Sequence, residues 1–411
     1  MTYPFLNRLR VVESSAFIAA PLAGLTLAQF GADVIRVDIP GGGIDYARLP
    51  RMPHPEGRGR SIYWAGLNKG KRSVAIDLRR PEGRELVQAL ATAPGPDAGV
   101  LLTNIGTPWL AHAVLAGRRA DMISCTIQGN ADGSTAVDYT VNCATGYPYA
   151  TGGGSAERPV NHVMPAWDVA CAYQAAFAVV AAVHQRQRTG EGAELRIALS
   201  DMAFTTLSHL GVLAEAELLQ QERPSIGNHI YGAFGRDFAT ADGQRIMVAA
   251  ISAGQWKSLV KACGIGEAVA ATEQRLGLDF NDEAQRFEGR DAIAELVAPW
   301  FARRGTAEVE RELEANKVCW GRYKTVGELL ASDRRVSTDN PVFERSVTPG
   351  MGEHLVAGSA VRAPAMDRAP TRPAPLLGAD TDEVLHEVLG LDAAAIGRLH
   401  DAAVVAGPER G

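Results

Sequence analysis

Residues 9–38, LRVVESSAFIAAPLAGLTLAQFGADVIRVD, decide the fold. Leu9–Glu13 is a short β-branched run of strand length, and Ala19–Phe30 is an Ala/Leu stretch of helix length stopped by Gly31. Asp33–Asp38 is a second apolar strand, so the stretch reads as one βαβ unit. Apolar strands alternating with helices call for a parallel sheet covered on both faces.

The alternation continues outward. Arg72–Leu78 reads as a third strand, and Pro81 opens a helix through Glu85 and Leu90, proline being tolerated in a first turn. Ala98–Thr103 and Met122–Ile127 read as buried strands, Val169–Arg188 as a long Ala-rich helix, Leu195–Leu199 as a strand, and Asp201–Gln221 as another long helix. From Pro224 the texture changes. A strand at Arg245–Ala250, a helix at Ser252–Cys263 and charged amphipathic helices around Ala284–Arg303 and Thr306–Asn316 mark a smaller domain. The expected division is 1–224 for the first part of a large domain, 225–325 for the small one, and 326–411 for a crossing segment and a return. The Pro/Gly-rich run Pro341–Pro375 shows little periodicity, which suits a crossing connection. The tail from Gly378 starts a last capped helix with acidic residues in its first turn.

Composition narrows the function. The 411 residues exceed one ordinary module, and 46% hydrophobic residues exclude wholesale disorder. With 41 Lys+Arg against 47 Asp+Glu, the net charge of −6 argues against a nucleic-acid partner. The 5 cysteines are scattered and form no C-x-x-C pair, so no disulfide framework or zinc ribbon is written here, and no metal is expected. No signal pattern opens the chain, and the apolar stretch Val169–Val183 is short for a bilayer. The expectation is a cytoplasmic enzyme without a membrane partner.

The turn after the first strand lacks G-x-G-x-x-G, which disfavours a dinucleotide enzyme, and no Walker, H-E-x-x-H or G-x-S-x-G motif occurs. Basic residues gather at Asn68–Ser73, with Lys69 and Arg72, and again at Arg79-Arg80. They could bind the phosphates of a nucleotide-like ligand, although on charge alone a solvated patch at loop ends is the more common case. Asp168 precedes the Ala-rich helix. As an N-cap it would only satisfy backbone N–H groups, yet a helix N-terminus also stabilises an ionised carboxylate, and an anion in a dry pocket is a nucleophile that needs no base. His162 is a candidate proton carrier or structural donor, Asp138-Tyr139 could line the same cleft, and Gly152–Gly154 reads as a flexible turn.

These segments together resemble the family III CoA-transferases. The resemblance rests on LRVVE with Pro21 and GADVIRVD, NKGKRSVAIDLRRPEGRELV (68–87), Asn104, Asp168, TGEGAELRIALSDM (189–202) and APLLGADTDEVLHEVLGL (374–391). It runs through nearly the whole chain in order. It implies an α/β fold in which a Rossmann-like large domain is built from both chain ends and joined by a smaller α+β domain, with two chains interlocked as a homodimer. It implies an acyl-CoA substrate and no tightly bound cofactor. Carried over by position, Asp168 matches the nucleophile, Ile76 and Arg79 match contacts to the CoA nucleotide, and Asn104-Ile105 flank the pantetheine arm.

Departures narrow it further. The racemases of the family use a His-Asp pair where this chain has Val137-Asp138, so proton abstraction beside a thioester is disfavoured. The glycine-rich loop of formyl-CoA transferase has no counterpart, and Ile39 stands where an arginine often follows the second strand. AGLNKGKRS, VDYTVN, VNHVMPAWD, GNHIYGAFGRDF and STDNPVF are similar to a branch that moves CoA between the two carboxylates of one small unsaturated diacid. That intramolecular transfer is the expected activity. The alternatives are intermolecular transfer, and further off racemisation or CoA binding without turnover. Ala19–Ala20 would supply oxyanion donors, and Tyr231–Phe238 a lid.

Overall fold

The computed structural model describes residues 2–53, 59–152 and 158–409. The opening βαβ unit comprises β1 (Arg10–Ser14), α1 (Ala19–Gln29) and β2 (Asp33–Asp38). β1 and β2 pair in parallel, with Val11 opposite Val34 and Val12 opposite Ile35, and all four side chains are buried. After the short helix α2 (Ile62–Leu67), β3 (Arg72–Ile76) pairs with β2. α3 (Pro81–Thr92) leads to β4 (Val100–Thr103) and β5 (Ile123–Gln128). α4 (Asp138–Cys143) and α5 (Ala166–Thr189) precede β6 (Ala193–Ala198), and α6 (Leu199–His209) follows it.

In the sheet these strands lie in the order β3-β2-β1-β4-β5-β6, all parallel, with the C-terminal strand Val405–Ala406 antiparallel on the outer edge of β3. The chain turns back on itself between β1 and β4. In open α/β sheets the crevice outside the carboxyl ends of the strands at such a reversal is where ligands bind.

Two compact units emerge. One comprises Met1–Thr145, His162–Leu218 and Arg334–Gly411, and the other Gly146–Asn161 and Leu219–Asp333. Both chain ends build the first. Asp380 Oδ2 accepts the Ser73 N–H (2.7 Å), Thr381 Oγ1 accepts the Ala75 N–H (3.0 Å), and Val405 pairs with Ile76. Gly378 turns there at φ +71, and a Cβ would stand 2.8 Å from the Gly407 carbonyl oxygen. The second unit has an antiparallel sheet of β7 (Phe234–Ala239), β8 (Arg245–Ala250) and β9 (Cys319–Arg322). Phe234, Phe238, Trp256, Phe280, Val297 and Phe301 make its core. Phe234–Phe238 is therefore a buried strand rather than part of a lid, because its alternate side chains fill that core.

Other differences have local causes. The long helix expected over Asp201–Gln221 breaks at Gly211, where φ is +75, into α6 and a helix at Val212–Leu219. The helix expected around Ala284–Arg303 is two, divided at Gly289, where a Cβ would lie 2.5 Å from the Phe280 ring. Within Pro341–Pro375 a hairpin forms from β10 (Phe343–Thr348) and β11 (Gly352–Ala357), turned through Gly350 and Gly352, both at positive φ. The Gly152–Gly154 turn extends beyond the described residues. α5 is long and apolar enough to cross a membrane by length and composition. Its Cys171, Ala175 and Val179 face is nevertheless buried in the first unit, against α1 and β5.

Candidate active site

The crevice at the chain reversal holds a cavity of about 400 Å³, lined by the ends of β1, β4, β5 and β6 and by the start of α5. Two loops are locked together at its floor. Asn104, just after β4, donates through Nδ2 to the Ala16 carbonyl (2.7 Å) and accepts the Ala16 N–H on Oδ1 (2.8 Å). Next to it Phe17 has φ +63, a strained backbone for a residue with a large side chain. Asp45 Oδ2 accepts the Phe17 N–H (3.1 Å) and holds it there.

Asp45 belongs to a buried ionic cluster. The Arg36 guanidinium, 1% exposed, binds Glu13 (3.0 Å), Asp38 (2.9 Å) and Asp45 (3.3 Å) and donates to Ser15 Oγ (2.7 Å). Lys71 Nζ binds Glu13 Oε2 (2.8 Å), Asn68 Oδ1 (3.0 Å) and the Pro21 carbonyl (2.8 Å). Burial lowers the Lys71 ammonium to about 8 although Glu13 opposes the fall. Gly24 makes room for the cluster, since a Cβ there would fall 1.8 Å from Glu13 Oε2. Buried ions survive only when paired and hydrogen-bonded, and these pairs fix the loop that carries Phe17.

Asp168 lines the cavity from the first turn of α5. It is not the N-cap: the helix begins at Ala166 after Pro165, and the capping carboxylate is Asp138. Asp138 Oδ2 accepts the N–H groups of Trp167 (2.6 Å) and Asp168 (3.1 Å), while Oδ1 meets His162 Nε2 (3.0 Å). His162 is thereby a partner of the capping acid rather than a free proton carrier. Its ring also lies edge-on to Tyr139, whose hydroxyl donates to the Val163 carbonyl (3.1 Å). With the cap supplied by Asp138, the Asp168 carboxylate takes no hydrogen bond among the described residues. Burial first, and then the Asp138 charge, push it up to about 6, against the pull of Arg48.

The other expected ligand residues divide. Asn104 and Asp138 line the crevice, whereas Ile105 is exposed and is not part of the cavity lining; its N–H is donated to Thr103 Oγ1 (3.0 Å). Ile76 and Arg79 stand at the carboxyl end of β3. The Ile76 side chain is wholly buried, and Arg79, 79% exposed, folds onto Asp77 (2.8 Å). Lys69 and Arg72 stand at the other end of β3, whose five residues span about 13 Å at about 3.3 Å per residue. Arg72 is committed to Asp33 (2.5 Å) and Glu387 (2.8 Å). The basic run therefore does not gather around one phosphate.

Two cavity residues escaped the sequence reading. Tyr63 carries a buried hydroxyl with no hydrogen-bond partner among the described residues, and burial raises it to about 12. The Arg48 guanidinium lies over the rings of Phe17 (5.4 Å) and Tyr63 (5.1 Å). The charged residues Glu13, Arg36 and Asp38 within otherwise apolar strands were the one signal in the sequence that pointed here.

The family model for CoA-transferase family III matches residues 6–381. The chain belongs to that family. It is 49% identical over 406 residues, 98% of both chains, to a 2-methylfumaryl-CoA isomerase of Chloroflexus aurantiacus. It is 27% identical to a succinyl-CoA--D-citramalate CoA-transferase of the same organism, over 94% of each chain. Its fold is similar to that of a CAIB/BAIF family protein from Brucella suis, with a TM-score of 0.77, 23% identity, and coverage of 94% of this chain and 100% of the other.

Proposed function

We propose that the chain is an intramolecular CoA-transferase interconverting 2-methylfumaryl-CoA and 3-methylfumaryl-CoA. The observation that carries this is Asp168, an acid in the first turn of a helix facing a cavity of about 400 Å³, in a chain 49% identical over 98% of its length to an isomerase of that name. The Asp168 carboxylate attacks the thioester carbonyl. The C–S bond breaks, CoA leaves as thiolate, and a mixed anhydride remains. The thiolate then attacks the aspartyl carbonyl, giving an Asp168 thioester and the free diacid. The diacid's other carboxylate attacks that thioester, and the same steps run backwards. No proton is consumed, so no general base is needed, in keeping with Val137 in place of a histidine. The N–H groups at the start of α1, which has no side-chain cap, would take the oxyanions, and Tyr63 would donate to the same carbonyl.

CoA is a substrate here, and Arg79, Asn104 and Ile105 are the contacts proposed for it. A homodimer is supported by Tyr173, Phe177 and Val180, which expose one apolar face of α5. Incubation with 2-methylfumaryl-CoA alone, with products separated by chromatography, should yield the 3-methyl isomer with no added acceptor. Asp168→Ala should lose at least about 1,000-fold in kcat, and near-normal turnover would remove the covalent mechanism. Intermolecular transfer is the second reading, supported by the citramalate transferase relative. Entry of labelled free methylfumarate into the thioester would favour it.

A further inference from the structure

The reaction leaves one carboxylate of the diacid idle at every stage, and that anion must be held while the other end reacts. Among the described residues lining the cavity, Arg48 is the one lysine or arginine. It has no ion-pair carboxylate within 4 Å among the described residues, unlike Arg36, Arg72 and Arg79, and its guanidinium lies over two aromatic rings. Its placement is built from below. Ser61 caps α2 by accepting the Trp64 N–H (3.1 Å) and donates its own hydroxyl to the Arg48 carbonyl (2.7 Å), so the arginine and Tyr63 share one anchor. Phe17, the second ring, is held through Asp45 by the buried cluster. A guanidinium fixed this way presents its fork to a carboxylate without first giving up rotamer freedom.

We infer that Arg48 is the specificity-determining residue for the second carboxylate of the acyl group: it holds whichever end of the diacid is not at Asp168. This rests on the function proposed above. One cation facing one nucleophile serves both halves of the reaction, because a diacid turned end for end offers the same two carboxylates. Of the other wall residues, Ile18, Ile127, Val137 and Leu199 are apolar, while Gln128 donates to the Asn130 and Ala131 carbonyls, Asn104 to the Ala16 carbonyl and Tyr139 to the Val163 carbonyl.

The test compares two thioesters in the wild type, Arg48→Gln and Arg48→Lys. One is 2-methylfumaryl-CoA. The other is 2-methylbut-2-enoyl-CoA, in which a methyl group replaces the distal carboxylate. Exchange of labelled free CoA into each thioester reports attack by Asp168. On the alkaline plateau, well above the Asp168 limb that Arg48 helps to lower, Arg48→Gln should lose about 100-fold in kcat/KM on the dicarboxylate and stay within about threefold of wild type on the monoacid, with Arg48→Lys recovering part of the difference. Equal losses on both thioesters, or no loss on either, would overturn the assignment. If the wild type isomerises but Arg48→Gln shows no selective loss, the assignment falls and the function stands. If the wild type exchanges the dicarboxylate selectively through Arg48 without isomerising it, the function falls and the assignment stands. Exchange of neither thioester removes both.

Discussion

Asp168 shows how one residue's chemistry depends on which neighbour does the structural work. Were it the helix cap, two backbone N–H groups would occupy its oxygens and lower its pKa. Asp138 takes those N–H groups instead, leaving Asp168 desolvated, repelled by a second carboxylate, and raised to about 6. Only the anion attacks, so kcat/KM should climb through an acid limb near pH 6 and level off above it. Asp138→Asn removes the repulsion but not the burial. Its limb should move to lower pH yet stay above the ordinary carboxylate range, as a pH–rate profile will show. The same shift bears on stability. A carboxyl that keeps its proton up to about pH 6 when folded, and loses it in the ordinary carboxylate range when unfolded, costs stability as pH rises between those values. Asp168→Asn should therefore gain up to about 3 kcal/mol at pH 7 and almost nothing at pH 3.5, measured by urea unfolding at each pH.

At the scale of elements, the loop between β1 and α1 is a strained turn held from beneath. Its Phe17 conformation depends on Asp45, Asp45 on Arg36, and Arg36 on a Glu13 shared with Lys71. Lys71→Met would leave Glu13 Oε2 buried without its cation, at a cost of about 3–5 kcal/mol. A fall in the urea midpoint of matching size is expected; an unchanged midpoint would mean that Arg36 alone balances the cluster. Lys71 and Arg72 are adjacent in the sequence and take opposite roles because a strand points successive side chains to opposite faces. One enters the cluster under α1, while the other reaches across the sheet face to Asp33 and Glu387. A run of basic residues along a strand therefore cannot act as one patch.

For the whole molecule, α5 carries the main consequence. One side of this 24-residue helix is buried in the first unit, and the other leaves Phe177 69% exposed with Tyr173 and Val180 beside it. Four- and three-residue spacings put these three on one stripe. A charge there should cost the proposed dimer its interface while leaving the monomer fold intact. Phe177→Glu is expected to sediment as a monomer of 43.6 kDa where the wild type sediments as a dimer. An unchanged sedimentation coefficient would place the interface elsewhere.

The fold class was legible in the sequence because a buried parallel sheet needs continuous apolar strands, and LRVVE, DVIRVD and VAIDL supply them with helices between. β2 and β8 run over the residues their patterns marked, and the family was legible because its landmarks recur in order along the chain. Helix breaks were less so, since Gly211 and Gly289 act through a backbone angle and a ring contact that periodicity does not register. Asp168 itself could be picked out as the first acid of an apolar helix. What only the tertiary structure decided was its company: the capping role of Asp138, the separation of Arg72 from Arg79, and the meeting of Arg48 with Tyr63 over the cavity. Those are relations between segments brought together by packing, and a carboxylate's reactivity is set by its neighbours in space rather than in sequence.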